Sequence, residues 1–239
     1  MSDAHGSPDA SAAIAQVRDA AAGGDIAAQA LFAQMLSEGR GLAHDPAEAL
    51  HWYTLAANSG DVPAMNMVGR CNELGTGTPV NLELAAAWYR KAARHGSDWG
   101  MYNYAMLLAK GRGVKPDRKR AFALYRRAAD LGHAKSMNMV GRHYDEGWEV
   151  ERDVVVAETW YRKSALGGDF RGQTSYASIL AARGEVTAAA EWLRRAAMTA
   201  TPKFLERLVG DLARAPQALL REVAAQMHAR LPRKDAITA

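Results

Sequence analysis

The chain repeats itself. Ala85 to Gly96 reads AAAWYRKAARHG, Ala49 to Gly60 reads ALHWYTLAANSG, Ala121 to Gly132 reads AFALYRRAADLG, and Ala157 to Gly168 reads AETWYRKSALGG. The closing glycines stand at 60, 96, 132 and 168, a step of 36 residues. A fixed period of that size belongs to a stack of supersecondary units, each burying its apolar face against its neighbours. The expectation is therefore an all-α chain, an α/α superhelical solenoid of helical hairpins with capping helices at its ends.

Each period holds two amphipathic segments, A and B. Segment A carries a small residue at one fixed position (Ala33, Gly69, Ala105, Gly141, Ala177), which lets a neighbouring helix come close. It closes on Gly39, Gly75, Gly111 or Gly147, the residue type that ends a helix in the left-handed region without a steric penalty. The loops GRGLAHD, GTGTPVN, GRGVKPD and GWEVERD follow, ending in Asp45, Asn81, Asp117 and Asp153. These are N-cap residues for segment B. Segment B places Ala49, Ala85, Ala121 and Ala157 one turn before Tyr53, Tyr89, Tyr125 and Tyr161. With the alanine pairs 56–57, 92–93 and 128–129 a turn later, the stripe alternates small and large.

The units read as 25–60, 61–96, 97–132, 133–168 and 169–201. In the last, Trp192 follows Trp160 by 32 residues, so four loop residues are missing near Arg183-Gly184-Glu185. Residues 12–24 match the second half of a period and predict an N-terminal capping helix. Two amphipathic helices are expected over 202–232, the second starting at Pro216. Residues 1–11 are expected to be disordered and 233–239 to form a flexible tail.

The single Cys71 excludes an internal disulfide and a Cys-rich zinc site. The N-terminus has acidic residues where a signal peptide needs positive charge, and no run approaches a membrane span. A cytoplasmic, non-inserted protein is expected. The formal charge is +4, unevenly distributed. Residues 1–87 hold three Lys/Arg and ten Asp/Glu, whereas residues 88–127 hold eleven and two. Such a segment suits an acidic partner, or a contact between copies.

The combination of a small residue in A, the G-x-G-V loop, the Asp cap, A-x-x-W-Y-x-K-A-A and a closing Gly resembles the Sel1-like repeat, a relative of the tetratricopeptide repeat, over roughly 25–200. Departures are Ala123-Leu124 before Tyr125, Glu149 at the second loop glycine, and the shortened last loop. The resemblance implies an α/α solenoid acting as an adaptor or scaffold in protein complexes.

No phosphate-binding, dinucleotide, zinc-protease or nucleophile-elbow motif occurs, and no Ser stands three residues before a Lys. Glu48 and His51 form one E-x-x-H without the second copy a di-iron site requires. No catalytic residue, metal or cofactor is expected. MNMVGR occurs at 65–70 and at 137–142, giving Asn66/Arg70 and Asn138/Arg142 as i, i+4 pairs. An Asn amide can hold a peptide backbone and an Arg can fork onto a carboxylate. Trp99, off the tryptophan pattern, stands with Tyr102 one turn on. Asn66, Arg70, Trp99, Tyr102, Asn138 and Arg142 are thus the expected lining of a groove that takes a segment of another protein, one with an acidic group. The second reading is a nucleic-acid or other anionic-surface binder using Arg90, Lys91, Arg94, Arg118, Lys119, Arg120, Arg126 and Arg127. Nucleic acid is the lesser expectation, and self-association stays open.

Overall fold

The computed structural model describes residues 8–229 and 231. Among them are thirteen helices and no strand. In order they are α1 (Pro8–Ala22), α2 (Ile26–Glu38), α3 (Pro46–Asn58), α4 (Val62–Leu74), α5 (Leu82–Arg94), α6 (Asp98–Lys110), α7 (Arg118–Asp130), α8 (Ala134–Glu146), α9 (Val154–Leu166), α10 (Phe170–Ala182), α11 (Val186–Thr199), α12 (Pro202–Leu212) and α13 (Ala218–His228). Segments A are α2, α4, α6, α8 and α10; segments B are α3, α5, α7, α9 and α11.

The chain forms two compact units, divided within α7 between Leu124 and Tyr125. In the first, α1 packs on α2, and then α2 on α3, α3 on α4, α4 on α5 and α5 on α6. Its core holds Phe32, Leu36, Tyr53, Met65 and Val68 with an alanine set from α2 to α5. In the second, α8 packs on α9, α9 on α10, α10 on α11, α11 on α13 and α12 on α13. Leu193, Leu205, Leu208, Leu220, Val223 and Met227 build the core where the last pair meets the capping helices.

The expected stripe is buried. Tyr89 and Tyr125 are fully covered, as are Ala85, Ala92, Ala121 and Ala128. The small position in α4 has a direct cause. A Cβ added to Gly69 would lie 2.6 Å from two ring carbons of Tyr89, well inside the ~3.5–4.0 Å of carbon contact. Gly141 stands in the same relation to Tyr161. The tyrosine hydroxyls are placed as well. Tyr89 donates to Glu73 Oε2 at 2.8 Å and Tyr161 to Asp145 Oδ2 at 3.2 Å, while Tyr53 and Ser37 meet at 3.4 Å. Burial, then the adjacent carboxylate, holds the Tyr89 hydroxyl protonated, with its pKa raised far above the ordinary phenol value.

The B helices are capped as expected, Asp45 accepting from the amides of Ala47 and Glu48, and Asp153 from those of Val155 and Val156. The A helices carry their own caps at the same period: Asp25, Asp61, Ser97, His133 and Asp169. In the A–B loops, Gly77 has φ +73°, and a Cβ there would lie 2.1 Å from the Pro46 carbonyl oxygen. Glu149 takes the corresponding place with φ 56°, so the loop keeps its left-handed turn without glycine. Its Oε2 lies 3.1 Å from His143 Nδ1.

Two corrections concern the ends. Helix α1 begins at Pro8, so part of the stretch expected to be disordered is helical; Pro suits a first helical turn, and the alanines behind it favour continuation. The final helix starts at Ala218 rather than Pro216. Residues 1–7 and the expected tail at 233–239 lie outside the described residues. The link from α10 to α11 is the three residues 183–185, where the other A–B loops have seven.

Candidate functional site on the A-helix faces

In the first unit, Asn66 and Arg70 stand one turn apart on α4, and Trp99 opens α6. All three line a cavity of about 490 Å³, with Val62, Pro63 and Met67 as its apolar side. Trp99 is 42% exposed and meets Tyr102 edge to face, centroids 6.3 Å apart. Arg70 is exposed. The arrangement therefore offers a cation and an accessible indole within one concavity.

Asn66 has a partner within the fold as well as a place in the cavity lining. It is buried, and its Oδ1 accepts from Asn103 Nδ2 on α6 at 2.9 Å. In the second unit Asn138 is also buried, and its Oδ1 accepts from Ser175 Oγ on α10 at 3.4 Å. Both carboxamides thus bond sideways to the next A helix, because the residue 37 positions on faces them across the helix pair. What each can still offer a ligand is its Nδ2 donor.

Asn138 and Arg142 line a second cavity, of about 590 Å³, together with Arg171, Lys203, Phe204 and Arg207. Arg142 is exposed, its guanidinium 5.1 Å from the Trp148 ring. Arg142 also borders a cleft with Asp145 and Glu146. The six expected residues are therefore found in two places, four in the first unit and two in the second. Sequence reasoning missed Lys203, Phe204 and Arg207, which lie beyond the last period. Arg171 repeats the position of Trp99 two periods on, and that equivalence is the signal that leads to it.

Other candidates sort by burial. Cys71 is buried, and burial raises its thiol pKa, which disfavours the nucleophilic thiolate. His143 is buried, its Nδ1 3.1 Å from the Trp148 carbonyl oxygen; burial lowers its pKa more than that contact and Glu149 raise it. Among the described residues no group of three or more His, Cys, Asp or Glu side chains could hold a metal ion, and no helix is long and apolar enough to cross a membrane. Of the basic segment, Arg90, Arg94, Arg118, Lys119 and Arg120 are exposed in the first unit, whereas Lys91 lies over Trp88 at 4.7 Å. In the second unit Arg126 pairs with Asp130 at 3.2 Å and lies 4.9 Å from the Trp160 ring.

The Sel1 repeat profile matches residues 26–61, 62–97, 100–133, 134–169 and 186–198. No curated protein matches the chain. Among solved structures it is similar to a Sel1 repeat protein from Oxalobacter formigenes, with 27% identity over 86% of this chain and 88% of that one, at a TM-score of 0.72. It is similar also to a protective antigen of uropathogenic Escherichia coli strains that displays an SLR fold: 29% identity, 90% of this chain, 47% of that one, TM-score 0.69. An immunity protein from Pseudomonas aeruginosa shares the fold at 14% identity and TM-score 0.58, over 86% of this chain and 81% of its own. The fold class is the all-α helical-repeat solenoid. With the repeat profile matching most of its length, on the glycines, caps and alanine–tyrosine stripe described above, the chain belongs to the Sel1 repeat family.

Proposed function

We propose that this chain is a non-catalytic protein–protein interaction scaffold whose A-helix faces take a segment of a partner. The partner segment presents an acidic group and an apolar side chain. Sel1 repeat proteins are generally protein–protein interaction scaffolds, which supports the class. The observation that carries the finer reading is the first-unit cavity, where Arg70 shares a concavity with the exposed Trp99 and the apolar Val62, Pro63 and Met67. Trp and Arg are the residue types that concentrate binding energy at interfaces. The scaffold works in the cytoplasm in this reading, and Asn66 and Asn138 support the site mainly by fixing neighbouring A helices.

The test is affinity purification from the native cell, followed by titration of the purified partner against wild type and an Arg70→Ala/Arg142→Ala variant. At least a tenfold weakening, about 1.4 kcal/mol, with an unchanged melting temperature is expected. Trp99→Ala should act in the same direction. Equal affinity for wild type and variant would remove the A-helix faces from the account. Loss of binding on reversing Arg118, Lys119 and Arg120, with steep salt dependence, would favour the basic segment instead.

A further inference from the structure

The second-unit cavity has a composition that the scaffold reading does not require. Four cationic side chains converge on it: Arg142 from α8, Arg171 from α10, and Lys203 and Arg207 from α12. None of the residues described as lining it is Asp or Glu. Among the described residues none of these four cations forms an ion pair; the pairs that exist use other partners. Asp145 and Glu146 border the neighbouring cleft beside Arg142, but no carboxylate is among the residues described as lining this cavity, where like charges repel one another, so the arrangement needs a reason.

Aromatic rings hold the guanidinium groups in place. Arg171 lies 4.4 Å from the Phe170 ring and 5.8 Å from that of Phe204, and Arg207 lies 5.1 Å from Phe204. Phe170 and Phe204 themselves meet at 4.8 Å, edge to face. Arg142 is held in the same way by Trp148, at 5.1 Å. Three planar forks are thus positioned by packing rather than by carboxylates, which leaves their N–H groups available to a ligand.

The hydroxyl protons of Thr174 and Ser175 are committed, to the Phe170 carbonyl at 2.8 Å and to Asn138 Oδ1 at 3.4 Å, so an anion finds its donors elsewhere in the lining. Because Asn138 accepts through its Oδ1, what it can give is its Nδ2 donor. Helix α12 starts at the cavity, and its N-cap Thr201 makes no side-chain cap bond. The positive end of that helix adds to the field of the four cations.

We infer that this cavity binds a phosphate monoester. A single carboxylate brings one negative charge in one plane. A phosphate monoester brings about −1.5 to −2 at neutral pH and three acceptor oxygens disposed tetrahedrally, which suits forks arriving from three helices. The volume falls within the ~300–1,000 Å³ of small-ligand sites, and Phe204 offers an apolar wall to whatever carries the phosphate. The site shares Arg142 and Asn138 with the A-helix face proposed above, but its other cations, Arg171, Lys203 and Arg207, are its own. Two sources share this chemistry: a phosphorylated side chain of a polypeptide, and a free small-molecule phosphate.

The experiment uses calorimetric titration of the full chain with four probes: inorganic phosphate, phenyl phosphate, a leucine-flanked phosphoserine peptide, and the same peptide with glutamate in place of phosphoserine. The variants are Arg171→Gln/Arg207→Gln and, should loss of the Phe204 contacts disturb folding, Lys203→Glu. Arg142 is left intact, so failure here is separable from failure of the partner-segment reading. The proposal expects saturable binding of the phosphate probes and at least tenfold weaker binding of the glutamate peptide. It also expects at least a tenfold loss with either variant, with helix content unchanged. A phosphopeptide at least tenfold tighter than inorganic and phenyl phosphate assigns a polypeptide source; otherwise a free phosphate is assigned. Equal binding of the glutamate and phosphoserine peptides, no binding of any phosphate probe, or unaltered affinity in a folded variant would overturn it.

Discussion

Replacing Gly69 by Ala tests the packing that defines the repeat, because its effect should change sign with the residue opposite. The new Cβ would sit 2.6 Å from Cδ1 and Cε1 of Tyr89, so ring and methyl must separate by about 1 Å to reach ordinary contact. Tyr89 has little room to yield. It is fully buried, and its hydroxyl is tied to Glu73 at 2.8 Å. Overpacking of this kind costs about 1–3 kcal/mol, and the rigid setting argues for the upper part of that range. Against it stands the helical gain of Ala over Gly, about 1 kcal/mol. The net for Gly69→Ala is a loss of about 1–2 kcal/mol. In a Tyr89→Ala background, itself about 3–5 kcal/mol less stable, the clash is gone and only the helical gain remains. There Gly69→Ala should stabilise by about 1 kcal/mol. Urea unfolding of the four proteins, followed by circular dichroism, gives the cycle. A stabilisation of the same sign and size in both backgrounds would refute the reasoning and show that Gly69 is not held small by Tyr89.

Tyr89→Phe should cost about 1.5 kcal/mol, the lower end for a bond to a charged acceptor, because the Glu73 side chain is 23% exposed and Arg112 stays 3.4 Å away; the urea midpoint measures it. Because His143 has a lowered pKa in the folded chain, the unfolded chain binds more protons near and below the ordinary value of about 6.5. Its stability contribution is thus complete above that pH and is lost as pH falls through the depressed folded value. The urea midpoint should drop between pH 7 and 5, and less steeply in His143→Gln. Reversing Arg118, Lys119 and Arg120 to Glu should alter stability by under about 1 kcal/mol, since all three are exposed, the Arg120 guanidinium lies 5.6 Å from the Tyr104 ring, and the bond from Arg120 to the Asp117 cap uses its backbone amide; thermal unfolding checks this.

The period made the hairpins legible because every unit must bury the same face against its neighbour. Spacing alone puts Ala85 and Tyr89 on one stripe and marks Gly69 as a point of close approach; that Gly69 faces Tyr89 is a finding of the fold. The caps of the A helices escaped, although Asp25, Asp61, Ser97, His133 and Asp169 keep the same interval: side chains that differ so much do not advertise a shared role. The repeated MNMVGR indicates equivalent surroundings for Asn66 and Asn138 without telling a groove from a neighbouring helix. Asn103 and Ser175 occupy the Oδ1 of each carboxamide, and only the fold brings them near. The cationic cavity was least visible. It joins α8 and α10 to α12, and no repeat relation reaches past Pro202.

The sideways amide bonds have a consequence for register. The small residues set how closely neighbouring helices approach, as Gly69 does against Tyr89; a displacement along the axis by one turn, about 5.4 Å, is opposed in a second way. The bond from Asn103 to Asn66, and the one from Ser175 to Asn138, would not survive such a slip, and would leave a buried carboxamide without its partner. Each works as a pin that selects one alignment of adjacent A helices, as a single buried Asn does in a coiled coil. An aliphatic residue at both pins should therefore give a chain that melts no lower but samples more than one alignment.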